Sequence, residues 1–171
     1  MILNLFAILF QIFMLSNNFI EIEIRRLLVE DLPELIDLWN KDPEGYNQHF
    51  IPFEMNYKNL INILNNAVKD IYLAVRVKNN LAGFFMIRGF DAGYQVPSYG
   101  VWISSQFKNK GLAKLTLQYT ISLCRVNNVE KIMLKVHPDN KIAQNIYRNF
   151  GFIETGIDEK IGHIIMHKEL A

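Results

Sequence analysis

Hydrophobic positions along the chain recur with two different periods, and each change of period marks the edge of an element. From Phe19 to Leu28, Ile20, Ile22 and Ile24 alternate with Glu21, Glu23 and Arg25, which predicts a half-buried strand. The period changes at Glu30-Asp31-Leu32-Pro33, where acids and a proline suit the first turn of a helix. Leu35, Ile36, Leu38 and Trp39 then share one face, and Lys41-Asp42-Pro43-Glu44-Gly45 ends the helix. Asn56 caps a second helix bearing Leu60, Ile61, Ile63, Leu64, Ala67 and Val68. Between the two helices, Tyr46 to Met55 is aromatic-rich without a clean period and reads as a loop. Two roles are open to it: lining a pocket with His49, Phe50, Phe53 and Glu54, or packing its aromatics onto the core.

The second half starts with a hairpin: strands over Ile71–Val77 and Leu81–Phe90 around the tight turn Lys78-Asn79-Asn80. Asp91 to Pro97 carries turn residues and leads into a third meander strand, Ser98 to Ser104. A long helix follows from Gly111 to Asn127, then a strand from Glu130 to Val136 with Ile132, Leu134 and Val136 on one side. His137-Pro138-Asp139-Asn140 ends that strand, with Asp139 expected as the N-cap of a helix carrying Ala143, Ile146, Tyr147 and Phe150. Gly151 suits the C′ position, and strands over Phe152–Ile157 and Gly162–Leu170 close the chain. An antiparallel meander combined with a crossover helix predicts an α/β or α+β sheet, here with about seven strands and four helices.

Composition narrows the class. A chain of 171 residues, half of them hydrophobic, is long enough for one domain with a substantial core. A net charge of +1 argues against a dedicated nucleic-acid binder, while leaving room for a small anionic ligand at a local positive site. The single Cys124 has no partner for a disulfide and no companions for a metal site, which fits a reducing, cytoplasmic compartment. Residues 1–18 stand apart from the domain expected over 19–171. Met1 to Leu15 is almost wholly apolar, too short for a spanning helix of ~20 residues and without the basic start of a secretory signal. It reads either as a dispensable extension, with translation from Met14, or as a hydrophobic element making a membrane or partner contact through residues 1–15.

The stretch from Tyr99 to Leu123 carries the chemistry. An apolar strand passes through Lys108-Asn109-Lys110-Gly111 into a helix, leaving unpaired N–H groups at the positive end of the helix dipole. Such a corner binds anions, typically phosphate or pyrophosphate. Neither a Gly-x-Gly-x-x-Gly after the first strand nor a Gly-x-x-x-x-Gly-Lys-Ser/Thr frame is present, so dinucleotide-fold and P-loop readings fail on residues.

Two linked motifs make the chain resemble the GNAT superfamily of N-acetyltransferases over about Ile20 to Leu170. The first, Arg/Gln-x-x-Gly-x-Gly/Ala in that family, stands here as Lys108-Asn109-Lys110-Gly111-Leu112-Ala113, with lysine in the leading place. The second is Asn140, Tyr147 and Phe150-Gly151-Phe152. The resemblance implies a mixed, mostly antiparallel sheet whose fourth and fifth strands splay apart, and acetyl-CoA as co-substrate for transfer of acetyl to an amine by direct attack. It implies pyrophosphate contacts from the amides of Asn109, Lys110, Gly111, Leu112, Ala113 and Lys114, with charge from Lys108 and Lys110. It also implies cofactor-arm contacts along Val101, Trp102 and Ile103, a cofactor contact from Asn140, and Tyr147 as the acid for the leaving thiolate.

Some family members place a glutamate base on the fourth or fifth strand, where this chain has Pro97 and Lys135. His49, Glu54, Asp91 and His137 remain as bases acting through water. The acceptor would meet the Tyr46–Met55 loop, the Asp91–Pro97 turn and the hairpin from Ile157 to His163, whose mixed character favours a small amine such as an amino sugar or amino acid derivative. An acetyl-CoA-binding sensor of the same fold is the alternative, and the last strands offer an edge for a homodimer.

Overall fold

The computed structural model describes residues 20–50 and 52–170, so the expectations for residues 1–18 lie outside the described residues. Seven strands form one sheet: β1 (Ile22–Arg26), β2 (Ile71–Val77), β3 (Asn80–Arg88), β4 (Ser98–Ile103), β5 (Lys131–Val136), β6 (Ile153–Asp158) and β7 (His163–Glu169). Their spatial order is β1-β2-β3-β4-β5-β7-β6. Every neighbouring pair is antiparallel except β4 and β5. Four helices cover the sheet: α1 (Leu32–Lys41), α2 (Tyr57–Asn66), α3 (Leu112–Val126) and α4 (Lys141–Asn149). Among the described residues no helix is long and apolar enough to cross a membrane.

The β2–β3 turn follows directly from its residues. Lys78 and Asn79 both adopt positive φ, 50° and 65°, the two-residue turn whose twist matches a hairpin. Successive residues of β3 then face opposite sides of the sheet. Phe85 and Ile87 join a core with Leu117 and Ile121 of α3, Ile132 and Leu134 of β5 and Met166 of β7. Phe84 and Met86 join a second core with Leu32 and Leu35 of α1, Leu60 of α2 and Trp102 of β4. The sheet is therefore the middle of three layers.

A buried charge cluster fixes α1 to the sheet. Asp31, 6% exposed, takes two hydrogen bonds from Arg25 of β1 (2.6 and 2.7 Å) and one from Arg76 of β2 (3.1 Å). Arg76 also reaches Glu34, whose other oxygen accepts the Leu81 N–H at 2.7 Å.

Three local expectations are corrected. Ile20, which precedes β1, and Ile22, at its start, are about half exposed, and Ile24 alone of the three packs on the core; among the described residues β1 is an outer strand paired only with β2. Helix α2 stops at Asn66 and does not include Val68: the Asp91 carboxylate accepts the N–H groups of Val68, Lys69 and Asp70, drawing that segment out of the helix. The N-cap of α4 is Asn140, whose Oδ1 accepts the Ala143 N–H at 3.1 Å, while the Asp139 N–H is donated to His137 Nδ1.

Candidate active site

The parallel β4–β5 pair is the structural basis of the site. It is joined at one register position only, Ser98 opposite Met133, where the Met133 N–H donates to Pro97 O at 3.0 Å. Beyond that point the strands part, and a cleft of about 1780 Å³ occupies the wedge. Peptide groups alternate sides along a strand. Because the Ser104 N–H donates to Ala82 O on β3, the peptide groups of Tyr99, Val101 and Ile103 turn toward the wedge and that of Trp102 turns to β3. Ile103 O already accepts the Tyr46 hydroxyl at 3.0 Å. Trp102 contributes its indole to the second core, with Nε1 donating to Asn47 Oδ1 at 2.7 Å.

The corner after β4 is built by its side chains. Ser104, fully buried, donates to Asp42 Oδ1, which also accepts the Ser105 N–H, so the chain leaves the sheet tied to the end of α1. Asn109 and Gly111 are left-handed, with φ of 61° and 80°, and Gly111 is the N-cap of α3. Among the described residues, the N–H groups from Asn109 to Lys114 have no acceptor; the first helical bond is Leu115 N–H to Gly111 O. A Cβ added at Gly111 would meet no atom within 4 Å and would project into open space beside the cleft that Gly111 lines. Lys108 and Lys114 line the cleft as well, whereas the Lys110 ammonium lies over the Phe107 ring, 5.1 Å from its centroid. The unpaired amides, the dipole and the open space at Gly111 fit a pyrophosphate.

Tyr147 and Tyr99 stand across the wedge from one another. Their rings meet edge to face at 6.4 Å, and the Tyr99 hydroxyl is 2.8 Å from Thr116 Oγ1, tying β4 to the first turns of α3. Among the described residues the Tyr147 hydroxyl makes no hydrogen bond, and burial pushes its pKa up to about 12. Tyr147 lines the cleft, and its phenol is protonated at neutral pH. Asn140 uses Oδ1 for the helix cap, and its Nδ2 has no acceptor among the described residues. Gln144, which residue patterns did not single out, holds the β5–α4 turn with Nε2 donating to His137 O and Pro138 O. A buried glutamine on an amphipathic helix gives no sign of that role in sequence.

The residues weighed as bases separate clearly. Glu54 and Asp91 are not among the cleft-lining residues, and Asp91 is committed to three amides, which hold its carboxyl below the usual range. Lys135 is paired to Asp158 at 2.6 Å. His49 and His137 both line the cleft, their rings stacked at 4.5 Å, and His163 meets His137 edge-on at 5.2 Å. The loop from Tyr46 fills both of its foreseen roles: Tyr46 and His49 line the cleft, while Phe50 packs on Trp39 and Phe84.

Residues 25–152 match the profile of the acetyltransferase (GNAT) family. A 66-residue segment is 32% identical to the L-amino acid N-acetyltransferase AaaT of Escherichia coli K12, covering 38% of this chain and 41% of that protein. A 61-residue segment is 30% identical to the chloroplastic GCN5-related N-acetyltransferase 6 of Arabidopsis thaliana, covering 34% of this chain and 21% of that protein. These matched segments thus span well under half of each relative. The fold is similar to that of the PaiA N-acetyltransferase of Thermoplasma acidophilum, solved in complex with coenzyme A: TM-score 0.70 and 21% identity over 87% of this chain and 99% of that one.

Proposed function

The chain belongs to the acetyltransferase (GNAT) family, and from that premise we propose that it transfers acetyl from acetyl-CoA to a primary amine on a small molecule, by direct attack in a ternary complex. The observation that carries this reading is the wedge itself. One parallel register position, an opened strand edge and an unpaired amide corner lie along a single cleft.

The thioester supplies the activated acetyl group; the chain supplies position and protons. The amides from Asn109 to Lys114 hold the pyrophosphate, with Lys108 and Lys114 adding charge, and each exposed interaction with the helix end contributes ~0.3–1 kcal/mol. Lys110 contributes its amide, its ammonium being turned to Phe107. Val101 and Ile103 offer strand-like partners to the pantetheine amides, Trp102 backs them from the core, and Asn140 donates from Nδ2. Tyr147, protonated at every physiological pH, gives its proton to the leaving thiolate.

A small acceptor is supported by the aromatic and imidazole lining of the other half of the cleft, and by the substrate class in the AaaT name. The single buried Cys124, its thiol pushed up to about 11 by burial, fits a reducing cytoplasm. The test is release of free thiol from acetyl-CoA by the purified chain across a panel of amino acids, amino sugars and polyamines. Amine-dependent release with a preference for the small acceptors supports the proposal. Coenzyme A binding without release would instead indicate a sensor, and no binding at all would remove the acetyl-CoA assignment.

A further inference from the structure

Acetyl transfer from a thioester to an ammonium requires a proton acceptor, and the cleft has only one carboxylate among its described lining residues. That carboxylate, Asp70, is held in place by the N–H groups of Gly89 and Asp91, both donated to Oδ1. The imidazoles are the other side chains of the cleft whose ordinary pKa lies near neutrality. They come from three separate elements: His49 from the α1–α2 loop, His137 from the end of β5, and His163 from the first position of β7. Among the described residues no such group is placed to hold a metal ion.

The three rings are not equivalent. His137 Nδ1 accepts the Asp139 N–H at 3.1 Å, so the neutral ring carries its proton on Nε2 and has no free lone pair to offer. His49 lies flat on His137 and belongs to a loop. His163 is anchored in the sheet opposite Asp158, is 5% exposed, and has that remaining exposure toward the cleft it lines. Among the described residues neither of its ring nitrogens has a hydrogen-bond partner, so one nitrogen of the neutral ring keeps an unshared lone pair.

Building on the acetyl-transfer reading, we propose that His163 is the proton acceptor for the substrate ammonium, with His137 packed edge-on against it as the positioning residue. The balance is simple. His163 takes one proton from the ammonium and becomes imidazolium; the freed amine forms the new N–C bond as the C–S bond breaks. The thiolate takes a proton from Tyr147, the second amine proton restores Tyr147, and the imidazolium returns its proton to solvent.

The surroundings keep His163 in the working state. Burial, then the charge of His137, hold its pKa below the ordinary histidine value of 6.5, with smaller contributions in the same direction from His49 and from Lys135 on β5. Asp158 on β6 opposes them but is committed to Lys135 and to the Lys160 N–H. His163 is therefore neutral at pH 7 and gains a proton only in acid. Activity should rise with pH along a limb set by this group.

The experiment combines kinetics with a readout that needs no acetyl-CoA. With the best amine from the panel, His163→Asn and His163→Gln should lower kcat by about a hundredfold or more, leave coenzyme A affinity unchanged, and lose the acid limb of kcat/KM. Long-range ¹H–¹⁵N spectra of the full wild-type chain should show one imidazole, missing from the variants, that titrates below 6.5. Variants within threefold of wild type, a limb that persists in them, or a His163 that titrates at 6.5 or above would overturn the assignment. If the variants fail to fold, judged by melting and coenzyme A binding, the wild-type His163 signal is assigned by its through-space contact with the His137 ring, and its titration must coincide with the acid limb of wild-type kcat/KM. A wild-type chain with no amine-dependent release defeats acetyl transfer and His163 together. An active wild type with equally active variants defeats only His163.

Discussion

Replacing Gly111 tests the anion corner with two separable effects. The first is conformational: at φ of 80° any Cβ is disfavoured, and an L residue held in the left-handed region costs about 1–2 kcal/mol. Because an added Cβ at this position meets no atom within 4 Å, no clash adds to that figure. Gly111→Ala should thus lose about 1–2 kcal/mol in urea unfolding, and Gly111→Asn less, since asparagine tolerates this region. The second effect is electrostatic. A carboxylate about 4 Å from a phosphate, at an effective dielectric of about 20, is repelled by about 4 kcal/mol. Halving that for the open mouth of the cleft leaves ~2 kcal/mol, close to a thirtyfold loss of coenzyme A affinity for Gly111→Glu. Titration calorimetry of the three variants with coenzyme A separates the effects, because Ala and Glu share the backbone cost and differ in charge. Binding by Gly111→Glu within threefold of Gly111→Ala would refute the placement of the pyrophosphate here. An unchanged urea midpoint for Gly111→Ala would refute the strained cap.

Further outcomes follow from other parts of the structure. Tyr147→Phe should lower kcat by about a hundredfold with coenzyme A affinity intact; since burial raises this phenol to about 12, the wild-type rate should show no descending limb below pH 10, and such a limb would contradict the assigned acid. Asp31→Asn should destabilise the fold by about 3–5 kcal/mol by leaving Arg25 and Arg76 without their buried partner. Burial acts to raise the Asp31 carboxyl, but the hydrogen bonds from Arg25 and the Leu28 N–H, with the charges of Arg25 and Arg76, leave it lowered. Its stabilisation is therefore full above the unfolded-state value near 3.8 and is lost as pH falls through the lower folded value, a dependence that acid titration of stability should find missing in Asp31→Asn. Gly83→Ala would place a Cβ 2.2 Å from Trp102 O and 2.8 Å from Ile103 Cα, so the β3–β4 pair must move apart; a loss of about 3 kcal/mol or more is expected, and an unchanged melting temperature would show that the strands yield.

Much of the site was legible in the chain because its parts are local. The strand, the turn with Gly111 and the helix are contiguous, and the unpaired amides follow from that succession alone. Tyr147 and Asn140 are candidates that a motif around one short helix picks out. His163 is named in sequence only as the end of the acceptor-facing hairpin, with nothing to set it apart from His167 of the same strand, because its distinction lies in what surrounds it. His49, His137 and His163 are separated by long stretches of chain and meet only when the α1–α2 loop, β5 and β7 converge at one end of the wedge. Likewise Asp91, weighed as a base, is taken up by three amides of a segment far from it in sequence.

By itself the sequence determined what short-range physics controls: the periods of the elements, the turn at Lys78-Asn79, the anion corner and the α/β or α+β sheet class implied by the order of elements. The tertiary structure decided which of those elements share an edge, how far β4 and β5 stay paired, which peptide groups face the opening, and which side chains lose or keep their partners. The physical reason is the range of the interactions. Hydrophobic period and backbone conformation are set within a few residues, whereas burial, hydrogen-bond satisfaction and proton affinity depend on groups brought close only when the sheet and its helices assemble.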